Sequence, residues 1–500
     1  MTPTPNYAQL LQLLLPEIVL ILTALIVMAA DLLILRKLAP RARFTATSLL
    51  ASLGCVVAIL KIATAPTAVL FDGALISNPL VHLVQIFIVL ITIAVLLLFA
   101  SSEFTAHAGE FILLVLAATI GGMLLAATQD LLVIFLSLEL LSLSLYILTA
   151  FDKTGRRAWE AALKYFLFGG MSAGFLLFGF SLLYGVANST SLPDIAAAIA
   201  AAPSPALNPL LAVAIVTTAI GLGFKIAAAP LHFWAPDVYQ GAPAPSAALI
   251  ASGSKVASFF LFFQIAALGL LPAAGSAALR HPARGWVPVL AILAVVSMLL
   301  GNLAALRQSS LRRLLAYSAV AHAGYMLIAV AAHTADSLSA LLYYVFTYAL
   351  ATIGVFAIIS VVEEDSGSDS LASLAGLSRR SPLLAGSLAI FILSLAGIPP
   401  LAGFFGKFYL FVAALQSAPG STPLLWLVVL AIAMSAVSLY YYLQVLKRAF
   451  VAPTESTTPL RAPNLTQLLV LALAAAVILL GCLPHLLLGW IDAAIAASGL

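Results

Sequence analysis

Charge is what this chain has least of. Only 8% of its 500 residues are Asp, Glu, Lys or Arg, while 63% are hydrophobic. A soluble domain carries about 25% charged residues, so a water-soluble globule is excluded. Period-2 alternation is missing as well. The apolar runs reach about 20 residues or more, which excludes a β-barrel and calls for spanning helices. Cysteine is nearly absent. Cys55 and Cys482 both lie in apolar segments and form neither a metal spacing nor a disulfide framework. There is no Walker A segment, no CxxC set and no HExxH, and Gly221-Leu-Gly223 lies in an apolar span without a third glycine. Binding of NADH, flavin, an iron–sulfur cluster or ATP by this chain is therefore not expected. The net charge of +4 is no nucleic-acid signal, because the basic residues are sorted by membrane side.

The composition predicts an all-α polytopic membrane protein. About fourteen candidate spans centre near residues 22, 55, 90, 119, 140, 172, 218, 256, 296, 321, 349, 397, 435 and 477. The first apolar run, about residues 10–35, is too long for a signal h-region and reads as a retained span. The basic residues test the count. Loops after odd-numbered spans hold 15 Lys and Arg, from Arg36 to Arg461, whereas the opposite loops hold only Arg280 and Arg284. A misplaced early span would have mixed the two sets. By the positive-inside rule both termini are expected on the periplasmic side. No loop is long enough for a soluble domain: Glu363 to Arg380 is the longest polar stretch, and residues 187–207 form an outer connection.

Against that background the few charges inside spans carry the information. Lys225 and Lys407 each lie in a long apolar segment that Pro or Gly interrupts nearby: Lys225 precedes Pro230, and Lys407 follows Pro399 and Pro400. A lysine at membrane depth costs about 2.5–3.5 kcal/mol on insertion scales, and a helix break frees backbone groups that lipid cannot satisfy. Two such places in one chain suggest two related half-channels for an ion or proton. Glu139 sits among leucines, far from any loop charge. Alone it would be neutral, since desolvation disfavours its charge; a lysine beside it, Lys225 or Lys164, would keep it ionised. Lys164 follows Glu160 by four residues near the inner end of its span, where a snorkelling surface pair is an equal reading. His232, seven residues after Lys225 and beyond Pro230, titrates near neutral pH and suits proton hand-over. Lys255 stands among small residues that admit water and close helix approach. His322 is a further buried titratable group. Lys61 reads as a snorkelling lysine, and Asp31, beside Arg36, as an interfacial charge. For each buried group the alternative is structural: an ion pair, a carbonyl-held ammonium or a packed histidine.

The segments that hold these residues resemble a known family. Phe224-Lys-Ile-Ala-Ala-Ala-Pro-Leu-His-Phe-Trp-Ala-Pro-Asp-Val-Tyr-Gln-Gly-Ala-Pro243 looks like the signature of the antiporter-like membrane subunits of respiratory complex I. Ser137-Leu-Glu-Leu-Leu-Ser-Leu-Ser-Leu-Tyr146, Glu160-Ala-Ala-Leu-Lys-Tyr-Phe-Leu-Phe-Gly169 and Ala396-Gly-Ile-Pro-Pro-Leu-Ala-Gly-Phe-Phe-Gly-Lys-Phe-Tyr-Leu410 resemble the subunit N family of NADH–quinone oxidoreductase. Lysine at 407 fits that family; the sister subunit M carries glutamate at this place. The resemblance implies two inverted five-helix repeats, spans 4–8 (residues 106–270) and 9–13 (residues 285–452), with spans 7 and 12 broken. A three-helix segment (1–105) would precede them and a C-terminal helix (463–500) would follow. It implies that Glu139, Lys225, Lys255 and Lys407 match proton-path residues, and that Lys164, His232 and His322 match further family positions. It implies a bacterial inner-membrane location. Partners would be subunit M and small membrane-arm subunits such as K and J, with NADH, FMN, iron–sulfur clusters and quinone held by other subunits.

The expected function is outward proton translocation driven by quinone reduction elsewhere in a complex. Two rivals stand beside it. A multisubunit sodium/proton antiporter shares the Lys–Pro–His–Trp segment, and a structural spacer would use the same charges only to hold helices together.

Overall fold

The computed structural model describes residues 7–102, 104–201, 208–418, 421–453 and 458–499; the last six residues of the 187–207 connection lie outside these. Helices dominate. The N-terminal part holds α1 (Leu15–Leu33), α2 (Pro40–Ala63) and α3 (Pro79–Phe99), with a small hairpin of β1 (Ala68–Leu70) and β2 (Leu75–Ser77) between α2 and α3. Next come α4 (Ala108–Ala126), α5 (Leu131–Thr149), the long α6 (Arg156–Ala187), α7 (Pro209–Lys225), α8 (Trp234–Gly241), α9 (Ala244–Ala251) and α10 (Gly253–Gln264). The second half holds α11 (Trp286–Ala305), α12 (Leu311–Ala332), α13 (Ala335–Ser366), α14 (Pro382–Ala396), α15 (Ala402–Leu415) and α16 (Leu425–Phe450). The chain ends in α17 (Asn464–Cys482) and α18 (His485–Ser498).

Among the described residues twelve helices are long and apolar enough to cross a membrane. The expected seventh and twelfth spans complete the set as broken pairs, α7 with α8 and α14 with α15. The two breaks are five spans apart. An odd number of crossings reverses direction, so the second break meets the membrane upside down relative to the first.

Local chemistry sets the boundaries. Proline opens α2, α3, α7 and α14, where its missing N–H is no loss. Asn78 and Asp130 cap α3 and α5 through side-chain oxygens, and Thr334 with Ser337 forms a capping box on α13. Gly397 ends α14 at φ 88°, a left-handed cap that glycine accepts without strain.

Packing sorts the helices by depth. The span formed by α9 and α10 is wholly enclosed, and α12 and α13 nearly so, whereas only a minority of the residues of α1, α2, α16 and α17 are buried. The structure differs from expectation at three places. The eighth span is itself interrupted at Ser252 (φ −124°, ψ −75°) without a proline. The expected C-terminal helix (463–500) is, over its described residues 463–499, two helices parted at Leu483 and Pro484. Finally, α13 runs on to Ser366, leaving two short turns, Leu371–Leu374 and Leu377–Arg380, for the polar stretch.

Candidate functional site

The first break holds the only buried lysine with a carboxylate in reach among the described residues. Lys225 is the last residue of α7, and Glu139 lies mid-way along α5. Their charged atoms stand 3.8 Å apart. The Lys225 ammonium also donates to Ser142 Oγ at 2.5 Å and lies 5.9 Å from the Tyr146 ring. Glu139, Ser142 and Tyr146 share one face of α5 through i, i+3 and i, i+4 spacing. Gly169 on α6 lets Tyr146 seat there, because a Cβ at that glycine would fall 2.0 Å from the phenol oxygen. The Glu139 side chain is 24% exposed on the outer face of α5, while that of Lys225 is 7% exposed. The pair therefore opens sideways, toward whatever covers α5 and α6.

The break leaves few backbone groups bare. Ala228 N–H donates to Gly223 O at 2.8 Å, Ala229 N–H to Ser297 Oγ at 2.8 Å, and Trp234 Nε1 to Phe224 O at 3.1 Å. Side chains and turns thus replace the missing helix bonds, as an apolar surrounding requires. His232 lies inside the break, buried, with its ring stacked on Phe233 and edge-on to Tyr317. Its Nδ1 is buried without a protein partner.

Lys164 is placed apart from this pair. Its ammonium sits 2.7 Å from Glu160 and 2.7 Å from Asp237 of α8. Asp237 also meets Arg313 of α12 at 2.6 Å. Of the two partners open to Glu139 in the sequence, the structure brings Lys225 and not Lys164. Arg312, next in the chain, binds Glu363 and the carbonyls of Tyr239 and Ala242. The short helix α8 is thus clamped by α6 on one side and α12 on the other. Lys61 is exposed, as a snorkelling residue would be. Asp31 pairs with Arg43 at 2.5 Å rather than with Arg36.

Deeper in, Lys255 on α10 donates to Ala319 O of α12 at 2.9 Å and lies 5.3 Å from the Tyr348 ring. His322 follows Ala319 by one turn of α12. Its Nδ1 is 2.6 Å from Tyr344 Oη and its Nε2 is 3.0 Å from Tyr442 Oη. Tyr442 also meets Ser318 Oγ. Lys407 on α15 closes the series. It donates to Leu395 O at 3.2 Å, Ala396 O at 3.0 Å and Ser435 Oγ at 2.9 Å, and lies 5.3 Å from the Tyr325 ring. The two carbonyls are the free C-terminal ones of α14, whose dipole favours a cation. Gly403 permits this fold-back, since a Cβ there would lie 1.9 Å from Ser394 O.

Lysine, histidine and tyrosine thus share elements α10, α12, α13, α15 and α16. Sequence reading passed over Ser142, Asp237, Tyr325, Tyr344, Tyr348, Tyr442 and Ser435. The signal for the tyrosines was present: Tyr344 and Tyr348 lie four residues apart on one apolar helix, and Tyr440, Tyr441 and Tyr442 are adjacent.

Two broken spans five crossings apart, each bearing a buried lysine, define an antiporter-like membrane subunit. Residues 128–435 match the family described as NADH:quinone oxidoreductase/Mrp antiporter, TM. The NADH-quinone oxidoreductase subunit N 2 of Acidobacterium capsulatum is 54% identical, with 97% of this chain and 99% of that one covered. A chain of respiratory complex I from Thermus thermophilus with bound aureothin superposes with a TM-score of 0.76 at 35% identity, covering 95% of this chain and 98% of that one. A chain of the Mrp complex from Dietzia sp. superposes with a TM-score of 0.80 at 20% identity, covering 97% of each; that likeness speaks to the fold alone. The chain belongs to the subunit N family of NADH-quinone oxidoreductase, and it is a multi-pass membrane protein.

Proposed function

We propose that this subunit moves protons outward through the buried Glu, Lys and His series, with quinone reduction in other subunits supplying the energy. Glu139, Lys164, Lys225, His232, Lys255, His322 and Lys407 are the residues assigned to the path. The Glu139–Lys225 pair at 3.8 Å is the observation that carries the reading. A carboxylate and an ammonium at that distance control each other's charge. When Glu139 holds Lys225 less tightly, Lys225 releases its proton through water toward Lys255, His322 and Lys407, and refills from the inner side. The energies are commensurate. Moving one charge against 100 mV takes about 2.3 kcal/mol, and breaking a partly buried pair changes energies by several kcal/mol.

Lys164 has a different place in this scheme. Held between Glu160 and Asp237 near the surface, it feeds or sets the field of the entry side rather than receiving from Lys225. The repeats span residues 106–270 and 285–452, after an N-terminal segment (1–105) and before the C-terminal one (463–500). Both chain ends face outward across a bacterial inner membrane. The half-open Glu139 supports a neighbouring membrane-arm subunit on the α5–α6 face, because lipid would leave a carboxylate poorly solvated there. Subunit M and small subunits such as K and J are the family's partners. NADH, FMN, iron–sulfur clusters and quinone belong to other chains of an H+-translocating NADH:quinone oxidoreductase, in which this chain does no redox chemistry.

The test is NADH-driven proton uptake into membrane vesicles carrying Lys225→Ala, with assembly read on a native gel. An assembled complex should lose at least about tenfold in pumping, which corresponds to about 1.4 kcal/mol. Full pumping by an assembled variant would reduce Lys225 to a structural lysine.

A further inference from the structure

One buried acid lies outside the lysine series. Glu17, in the first turn of α1, is 4% exposed. Its Oε1 accepts from Gln85 Nε2 of α3 at 3.1 Å, while its Oε2 is buried without a protein partner. Gln85 cannot serve both oxygens, because its second amide hydrogen goes to Met123 O at 3.3 Å. A buried carboxylate oxygen with nothing to bind calls for a ligand.

The surroundings say which. Glu17, Ser77, His82 and Gln85 line one small enclosed cavity of about 10 Å3, which is space for about one water. His82 precedes Gln85 by three residues, so both lie on the face of α3 turned to Glu17. Its Nε2 is 2.7 Å from Ser77 Oγ. Ser77 has one hydroxyl hydrogen, and that is donated to Pro66 O at 2.7 Å. Ser77 must therefore accept, His82 Nε2 must donate, and Nδ1 of the neutral ring is left as an acceptor. Glu17, whose Oε2 is buried without a protein partner, and the His82 ring thus line one cavity of water size. The other elements around it contribute Leu13, Ala65 beyond α2, Leu75 and Ile76 of β2, and Ala127 beyond α4, none of which titrates.

We propose that Glu17, His82 and one water between them form a proton-binding site separate from the lysine relay, at the membrane side where α1 begins. A proton arriving on the water passes to Glu17 Oε2 or to His82 Nδ1, and on release returns to the water. The ligand class is water and its proton. The site is too small, and too poor in oxygen donors, for a hydrated metal ion.

The test uses the assembled complex in proteoliposomes and pH-induced infrared difference spectra. Wild type minus Glu17→Gln should show one carboxyl band that titrates with pH. His82→Ala should move the midpoint of that band by at least half a pH unit, while quinone reduction stays within twofold of wild type. Superimposable wild-type and Glu17→Gln spectra from assembled complexes would overturn the proposal. If Glu17→Gln fails to assemble, His82→Ala decides: an unmoved midpoint overturns the site, a moved one supports it. A band that responds to exchange of potassium for sodium at fixed pH would also overturn it, as the signature of a cation site.

Discussion

At the first break Lys225 ends α7, and its ammonium faces a carboxylate 3.8 Å away. At the second, Lys407 lies inside α15, past the break, and its partners are two carbonyls of α14 and the hydroxyl of Ser435. Both breaks carry prolines, and both lysines are buried. The difference is the sign of what holds them. A counter-charge can be moved, screened or neutralised from outside, so the Lys225 site answers to its neighbours. Helix-end carbonyls are fixed dipoles, so the Lys407 site holds a proton with constant, weaker grip. In the proposed relay the first break would be a gated station and the second an ungated one.

That contrast can be erased by giving Lys407 a counter-charge. Ser435→Asp places a carboxylate where a hydroxyl now stands 2.9 Å from the ammonium. It should trap the proton and cut pumping by about tenfold or more, since a charge-assisted bond in a low-dielectric site exceeds about 1.4 kcal/mol. Pumping in vesicles, against assembly on a native gel, measures it. A smaller effect is expected from Tyr442→Phe, which takes one hydroxyl partner from His322 and from Ser318. A lost buried hydrogen bond is worth about 1 kcal/mol, so pumping should fall about three- to tenfold, while Tyr441→Phe, which bonds Asn302 instead, changes it less. The smallest change belongs to Asp237→Asn. Its partners Lys164 and Arg313 are 39% and 29% exposed, and pairs of this kind contribute about 0–1 kcal/mol each. The variant should lose a few degrees of thermal stability in a melting assay with the proton-to-electron ratio unchanged. A collapsed ratio would bring Asp237 itself into the proton path beside Lys164.

The parts legible in the sequence were those where one residue contradicts its surroundings. A lysine or glutamate in a leucine run, or a proline in a helix, announces itself without tertiary information. Glu139, Lys225, Lys255 and Lys407 were found this way, and so were the breaks in the seventh and twelfth spans. What stayed hidden agrees with its surroundings. Tyr344, Tyr348 and Tyr442 stand in apolar helices, and only the fold brings the hydroxyls of Tyr344 and Tyr442 to His322 and the ring of Tyr348 to the Lys255 ammonium. The break at Ser252 has no proline to mark it. Asp237 read as part of a family motif, and only the approach of α6 and α12 makes it a shared partner. Glu17 opens the first apolar run, and nothing in its local sequence marks it as buried. Its burial depends on α3, 68 residues away in the chain.

In the proposed relay Glu139 acts through Lys225. A double-mutant cycle of Glu139→Gln and Lys225→Ala, read as NADH-driven pumping in assembled complexes, tests it. The prediction is strong non-additivity: the double variant should be no worse than Lys225→Ala alone, with a coupling of at least about 1 kcal/mol, or about fivefold. Effects that simply multiply would mean that the two residues act independently and that the first break holds no gate.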